Sequence, residues 1–223
     1  MAAIVSRPTP RTLYVDTASA VQVVPMPAWK RAIDIVGASF GALLISPLLL
    51  LIALAIMVDS RGGPIYRQTR VGRGGRTFTC WKFRSMHRGA DRMLAGLAQY
   101  NEADGLIFKM RDDPRRTRVG RLLRRTSLDE LPQLWNVIRG DMSLVGPRPP
   151  LVSEVMGYTD AELQRLACVP GMTGLWQVTL RGRHNFADMV ELDTRYAESI
   201  RLKEDLRILL LTLPTVLLGR GSY

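Results

Sequence analysis

The longest apolar run in the chain is Ile35–Val58, 24 residues without a charged side chain. As one straight helix it would extend ~36 Å, enough for a hydrocarbon core of ~30 Å. A secretory leader is not expected, given the long polar and mixed stretch ahead of it and the lack of a small-residue cleavage pattern behind it. Pro47, preceded by Ser46, divides the run into apolar arms of 12 and 11 residues. Each arm reaches ~17 Å as a helix, about one leaflet. The proline deletes a backbone hydrogen bond and clashes with the turn before it, so a bend is expected. Both flanks are basic, with Arg7, Arg11, Lys30 and Arg31 before the run and Arg61, Arg67, Arg70, Arg73 and Arg76 after it. Positive flanks favour the cytoplasmic side. A helix broken at Ser46-Pro47 that enters and leaves through one face satisfies both. A straight span is the alternative, because prolines are tolerated in spanning helices. Backbone groups freed at the bend need partners, and the Ser46 hydroxyl is one candidate.

Other patterns are shorter. Residues 1–28 are rich in proline and small side chains without a sustained period, as in a loosely ordered tail. Ile65–Gln68 and Thr77–Phe83 read as strands, and the intervening Gly72-Arg73-Gly74-Gly75 suggests a hairpin turn, with a phosphate nest as the weaker alternative. Helices are predicted over 88–102, 127–139, 160–168 and 186–218. The apolar end of the last, Ile208–Leu218, is too short to span. It suits either a bilayer interface, beside Arg201, Lys203, Arg207 and Arg220, or a buried core. Pro170–Gly174 reads as a turn before a strand. The pattern therefore predicts an α+β, mainly helical chain. A helix-break-helix over 29–60 precedes a small domain over 61–223 that carries a short β-hairpin and amphipathic helices.

Composition narrows the chemistry. Lys and Arg outnumber Asp and Glu by 31 to 20, a net charge of +11 that favours phosphates, anionic lipid or nucleic acid. Aromatic residues make up only 7% and no nucleic-acid motif is present, so that partner is set aside. Cys80 and Cys168 show neither a disulfide framework nor a zinc spacing, and His87 and His184 stand far apart.

The densest chemistry lies between Arg124 and Pro149. Asp129 and Glu130 adjoin each other, follow Arg124 and Arg125, and fall where a helix begins. Ser127 and Glu130 have capping-box spacing, and Pro132 fits only near a helix start. Either Ser127 or Asp129 serves as the cap. Helix-start N–H groups and the neighbouring arginines favour negative charge, so both acids are expected to be ionised at neutral pH. Ionised carboxylates can ligate Mg²⁺ or attack phosphorus; alternatively they only cap a helix. Lys82 and Arg84 share a face by strand alternation and want an anionic partner. Arg148 stands between Pro147 and Pro149 on a stiff backbone, which holds its fork ready for phosphate. Asp112-Asp113 ahead of Pro114 is a turn start or a metal ligand.

Lys82-Phe83-Arg84-Ser85-Met86, Thr126–Gln133, Gly140–Pro149 and Pro170–Val178, in that order, resemble the bacterial sugar transferases, the monotopic polyprenyl-phosphate glycosyl-1-phosphate transferases. The Ser46-Pro47 break and the terminal Arg220-Gly221-Ser222-Tyr223 are similar too. The resemblance covers about residues 29–223. It implies a re-entrant membrane helix, a cytosolic catalytic domain and a monotopic enzyme on the cytoplasmic face of a bacterial inner membrane. It implies transfer of sugar-1-phosphate from a UDP-sugar to undecaprenyl phosphate, with UMP released, at the start of exopolysaccharide or glycoconjugate assembly. The implied roles are Asp129 as the nucleophile that carries a phosphosugar, Glu130 as a ligand of Mg²⁺, and Arg148 at the nucleotide end. Lys82, Arg84 and Arg124 are implied to bind phosphate. The chain departs from the family pattern at Thr179–Asn185 and at Glu198–Leu202, which bears on the sugar and on lipid contacts. The resemblance points to galactose or glucose without choosing between them, and a homodimer is left open. The competing reading is a non-catalytic, membrane-anchored basic scaffold in a polysaccharide assembly complex.

The bend makes a topological prediction. In a background lacking Cys80 and Cys168, single cysteines placed before Ile35 and after Val58 are both shielded from a membrane-impermeant reagent in intact cells. Labelling at one flank only identifies a straight span.

Overall fold

The computed structural model describes residues 21–102, 110, 112–180 and 186–217. The loose tail expected over 1–28 is ordered from Val21 onward. Val21 and Val24 pack against buried clusters, and the Val24 N–H donates to the Ala167 carbonyl at 2.8 Å. Residues 1–20, Arg181–Asn185 and the terminal Arg220-Gly221-Ser222-Tyr223 lie outside the described residues.

Helices α1 (Ala28–Leu44) and α2 (Ser46–Asp59) meet at an angle of 62° around Ile45. The break falls one residue before Ser46. Pro47 sits in the first turn of α2, where its missing N–H costs no intrahelical bond. The Ser46 hydroxyl donates to the Leu43 carbonyl at 2.8 Å, which satisfies part of the freed backbone as expected. Among the described residues no single helix is long and apolar enough to cross a membrane, and this bent pair passes that test by length and composition only together. One face of the pair, with Ala38, Ile52 and Ile56, is buried, while Val36, Phe40, Leu43, Leu44, Leu50, Leu51 and Val58 are exposed.

The antiparallel hairpin of β1 (Ile65–Val71) and β2 (Thr77–Phe83) is in register from Ile65 opposite Phe83 to Val71 opposite Thr77. Its connection is a tight turn in which Gly74 and Gly75 have φ of 62° and 77°, open to glycine without steric cost. Then follow α3 (Ala90–Leu97), α4 (Arg118–Arg125), α5 (Gln133–Arg139), β3 (Ser143–Val145), α6 (Val152–Val155) and α7 (Asp160–Leu163). The chain continues through β4 (Gly171–Thr173), α8 (Leu175–Thr179), α9 (Phe186–Glu198) and α10 (Leu202–Leu217). The fold is mainly helical with two small two-stranded sheets.

Several expected elements are corrected. The helix over 88–102 shortens to α3 and a single 3-10 turn at Ala98–Tyr100, and that over 160–168 to α7 and a turn at Gln164–Leu166. The long helix over 186–218 is broken at Ser199-Ile200-Arg201, which lets Asp205 and Ile208 of α10 turn into the core. Residues 171–173, expected as part of a turn, form a strand parallel to β3. A Cβ on Gly171 would stand 2.0 Å from the Gly146 nitrogen, so this approach requires glycine. α4 was not anticipated. It begins where the Thr117 hydroxyl accepts from the Gly120 N–H at 2.9 Å. α10 is buried on one side only. Ile208 is fully buried, while Leu206, Leu210, Leu211 and Leu213 remain exposed.

Two buried polar side chains join the layers. Asn136 of α5, fully buried, accepts from the Trp81 N–H at 3.0 Å and donates to the Thr79 carbonyl at 2.7 Å, pairing with β2 as a further strand would. Arg31 of α1 donates to the Val137 and Ile138 carbonyls at 2.6 and 2.7 Å, closing the last turn of α5.

Asn136→Ala leaves the Trp81 N–H and Thr79 carbonyl without their partner. It is expected to lower unfolding free energy by about 2–4 kcal/mol, measured by denaturant titration. A loss below the error of that measurement contradicts the role given to Asn136.

Candidate active site

The carboxylate pair is presented by an abrupt change of direction. α4 ends at Arg125, and Ser127 then takes φ 57° and ψ 16°, the one non-glycine residue with positive φ among those described. A left-handed serine costs of order 1 kcal/mol and persists where its surroundings impose it. It feeds a single 3-10 turn, Leu128–Glu130, and α5 starts three residues later with Pro132 as its cap residue. The helix expected over 127–139 is therefore two pieces. Neither Ser127 nor Asp129 caps α5, and Ser127 makes no capping bond. Leu128 and Leu131 pack beneath the turn on Ile52, Ile56, Phe83 and Leu123, which ties the acids to α2 and β2.

The two carboxylates differ sharply. Glu130 accepts from the Lys82 ammonium at 2.7 Å, and its side chain is 31% exposed. Burial acts against its charge, but Lys82 and Arg148 outweigh that and hold its carboxyl down to about 2. Asp129 is 9% exposed and has no ion pair among the described residues. Burial, with the adjacent Glu130 charge adding to it, pushes Asp129 up to about 6 against the pull of Lys82 and Arg124. Both acids are then ionised at neutral pH, as expected, but by a much narrower margin for Asp129. Cations, Lys82 foremost, govern Glu130, whereas desolvation governs Asp129.

Arg148 is brought to the pair by the loop after β3. Gly146 N–H donates to the Thr173 carbonyl and Gly171 N–H to the Pro147 carbonyl, both at 2.8 Å. On the other side, Arg70 donates from Nη1 to the Pro149 carbonyl at 2.9 Å, and Val71 N–H donates to the Pro150 carbonyl at 3.0 Å. Pro147, Arg148 and Pro149 are thereby clamped between β1 and β4, while the Arg148 guanidinium itself has no hydrogen bond among the described residues. Arg70 was missed from the sequence as a site residue. Its two hydrogen bonds to Gln68 Oε1, at 2.7 and 2.9 Å, set its fork, and burial together with nearby Arg148 lowers its affinity for a proton. Arg70, Lys82, Glu130 and Arg148 line a cleft together with Gln133 and Gln177.

The other expected residues fall elsewhere. Arg124, in the last turn of α4, lies near enough to Asp129 to favour its charge. Arg84 is not set beside Lys82. Strand alternation stops at Phe83, and the Arg84 guanidinium turns to the C-terminal end of α2, donating to the Ser60 carbonyl at 2.7 Å and the Arg61 carbonyl at 3.2 Å. Ser46 and Pro47 stay at the helix break. Asp113 is taken by Arg115 at 2.7 and 2.9 Å, so Asp112-Asp113 begins a turn. Cys80 and Cys168 are free and buried.

No cluster of three or more metal-ligating side chains occurs among the described residues. Mg²⁺ commonly uses only one or two carboxylates, completing its shell with water and substrate phosphate. Glu130 and Asp129 fit that donor set, and a carboxylate held by lysine through one oxygen retains the other for a metal.

The family model described as bacterial sugar transferase matches residues 26–219. The galactosyl transferase CpsE of Streptococcus agalactiae is 46% identical over 197 residues, covering 86% of this chain and 43% of the relative. The exopolysaccharide production protein ExoY of Rhizobium meliloti is 43% identical over 198 residues, 87% of this chain and 88% of the relative. The UDP-glucose:undecaprenyl-phosphate glucose-1-phosphate transferase of Caulobacter vibrioides is 43% identical over 205 residues, 87% and 72% respectively. The chain thus spans under half of the streptococcal relative and most of the rhizobial one.

The split between the acids sets a pH dependence. A carboxyl raised in the folded state stabilises the fold below its ordinary value of 3.8 and loses that contribution as pH rises through about 6. Asp129→Asn removes this loss. Its unfolding free energy relative to the parent should therefore rise between pH 4 and 7 by about 2–3 kcal/mol, read from denaturation at the two pH values. An unchanged difference contradicts a raised Asp129.

Proposed function

The chain belongs to the bacterial sugar transferase family, and from that premise we propose that it transfers sugar-1-phosphate from a UDP-sugar to undecaprenyl phosphate. The observation that carries the reading is the pairing of one desolvated, unpaired carboxylate with one held by lysine, beside the cation-lined cleft. Relatives that include the UDP-glucose:undecaprenyl-phosphate glucose-1-phosphate transferase of Caulobacter vibrioides support donor and acceptor alike.

In this mechanism Asp129 attacks the β-phosphorus of the donor. A bond forms from its carboxylate oxygen to phosphorus, and the bond from phosphorus to the bridging oxygen breaks. UMP leaves with that electron pair, and the sugar-1-phosphate stays on Asp129. An oxygen of undecaprenyl phosphate then attacks the same phosphorus, which releases the Asp129 carboxylate and gives undecaprenyl-diphosphate-sugar. A carboxyl near 6 is ionised for attack at neutral pH and less tightly solvated than a surface aspartate. Lys82, Arg148 and Arg124 offset the repulsion between anionic reactants and hold their phosphates in line. Glu130 would hold Mg²⁺, which when bound would supply further charge neutralisation on the diphosphate. Arg84 acts at a distance in this reading, by fixing the end of α2 behind the site.

The same reading places the chain on the cytoplasmic face of the inner membrane. The bent pair α1–α2 enters and leaves one leaflet, and the exposed leucines of α10 lie at the interface. The exposed apolar faces of both elements support this, since patches so large are otherwise rare on a soluble surface.

Purified protein with Mg²⁺, undecaprenyl phosphate and a panel of UDP-sugars should release UMP with at least one donor. Asp129→Asn should lower that rate by about 10³-fold or more, as loss of a nucleophile does. Release of UMP at the parent rate by Asp129→Asn contradicts the nucleophile, and no UMP from any donor with the parent supports the scaffold reading instead.

A further inference from the structure

Within the charged cleft stands one side chain that nothing in the fold uses. Gln133 opens α5 three residues after Glu130, and it is 3% exposed. It lines the cleft, and its amide makes no hydrogen bond among the described residues. The little of Gln133 that is exposed opens into the cleft, where a ligand can take the place of water on its amide. The neighbouring Gln177, on α8, is already engaged, because its Nε2 donates to the Met172 carbonyl at 3.2 Å. It therefore offers the cleft an oxygen. Of the charged side chains around the cleft, Arg70, Lys82 and Arg148 suit phosphate, and Glu130 is an anion paired with Lys82.

We propose that Gln133 is the specificity-determining residue for the nucleobase of the donor, its amide pairing with the imide edge of uracil. The inference rests on the proposed UDP-sugar donor and deepens it. A glutamine presents one donor and one acceptor in a plane, and the N3–H and O4 of uracil present the complementary pair. Phosphate asks for cations, which Arg70, Lys82 and Arg148 already supply, and has no use for a neutral amide. Pairing with a sugar hydroxyl is disfavoured by position. The sugar stays with the phosphorus that Asp129 attacks, and Asp129 does not line this cleft, whereas the leaving nucleotide departs on the side opposite the nucleophile. Met172 and Pro149 on the cleft wall supply apolar surface for the base to lie against.

The test is binding of UMP, N3-methyl-UMP and ribose 5-phosphate to the full chain in detergent, by calorimetry, for the parent, Gln133→Leu and Gln133→Glu. Thermal midpoints report folding of each variant. The parent should prefer UMP over N3-methyl-UMP by about fivefold or more, as expected for one or two neutral hydrogen bonds. Gln133→Leu should lose about fivefold or more in UMP affinity and show no such preference, while ribose 5-phosphate binding stays within about twofold. Gln133→Glu keeps the size but not the donor and should also lose UMP. A parent without preference overturns the inference even if neither variant folds. So does a variant that keeps the preference, or one whose UMP and ribose 5-phosphate affinities fall together, which would put Gln133 among the phosphate ligands. Affinity lost for a UDP-sugar but not for UMP assigns Gln133 to the sugar and likewise overturns it. A parent that binds no UMP, and releases none from any UDP-sugar, brings down the proposed donor itself; UMP release with Gln133 indifferent brings down this inference alone.

Discussion

The contact between Lys82 and Glu130, 2.7 Å long, is the interaction on which the site depends. Two adjacent carboxylates repel each other, and burying both as anions is unaffordable in a protein interior. Lysine on one of them resolves the conflict by dividing the labour. Glu130 remains charged under almost all conditions, and Asp129 absorbs the strain as a raised pKa. Removing Lys82 would therefore alter both acids at once, which is why the ion pair ranks above any single cation in the cleft.

The frame around that contact reaches back to the apolar helices. Lys30 of α1 pairs with buried Asp205 of α10 at 2.6 Å, and Asp205 also accepts from the Tyr196 hydroxyl at 2.7 Å. Asp34, one turn along α1, accepts from the Ser143 hydroxyl at 2.9 Å and the Leu144 N–H at 2.8 Å. Ser143 begins the strand that leads into Pro147-Arg148-Pro149. A continuous set of buried polar bonds thus joins α1 to the loop carrying Arg148. The bent apolar helix pair and the loop carrying Arg148 are held as one body, and breaking either buried aspartate contact would leave an uncompensated charge.

Much of this was legible in the sequence where one residue type dictates a local outcome. Pro47 after Ser46 announced the bend and its hydroxyl partner, Gly72–Gly75 the hairpin, and Asp129-Glu130 with Pro147-Arg148-Pro149 the candidate site. What stayed hidden depended on contacts distant in the chain. Ser127 has no sequence mark of a left-handed backbone, because packing of Leu128 and Leu131 imposes it. Asn136 looks like an ordinary helix residue until β2 lies beside it. Arg84 follows Lys82 by two, yet the strand ends between them and the C-terminus of α2 claims its guanidinium. Arg70 reads as one more basic flank residue, and only the return of Pro149 and Pro150 to β1 makes it the clamp of a loop.

The central claim, that the buried member of the pair is the nucleophile, is tested most directly by intact-mass and peptide mass spectrometry of protein treated with a UDP-sugar in the absence of lipid acceptor. The account predicts a phosphosugar adduct on the peptide bearing Asp129, discharged when undecaprenyl phosphate is added and absent from Asp129→Asn. Transfer to lipid that proceeds without such an adduct, or an adduct that survives in Asp129→Asn, contradicts it.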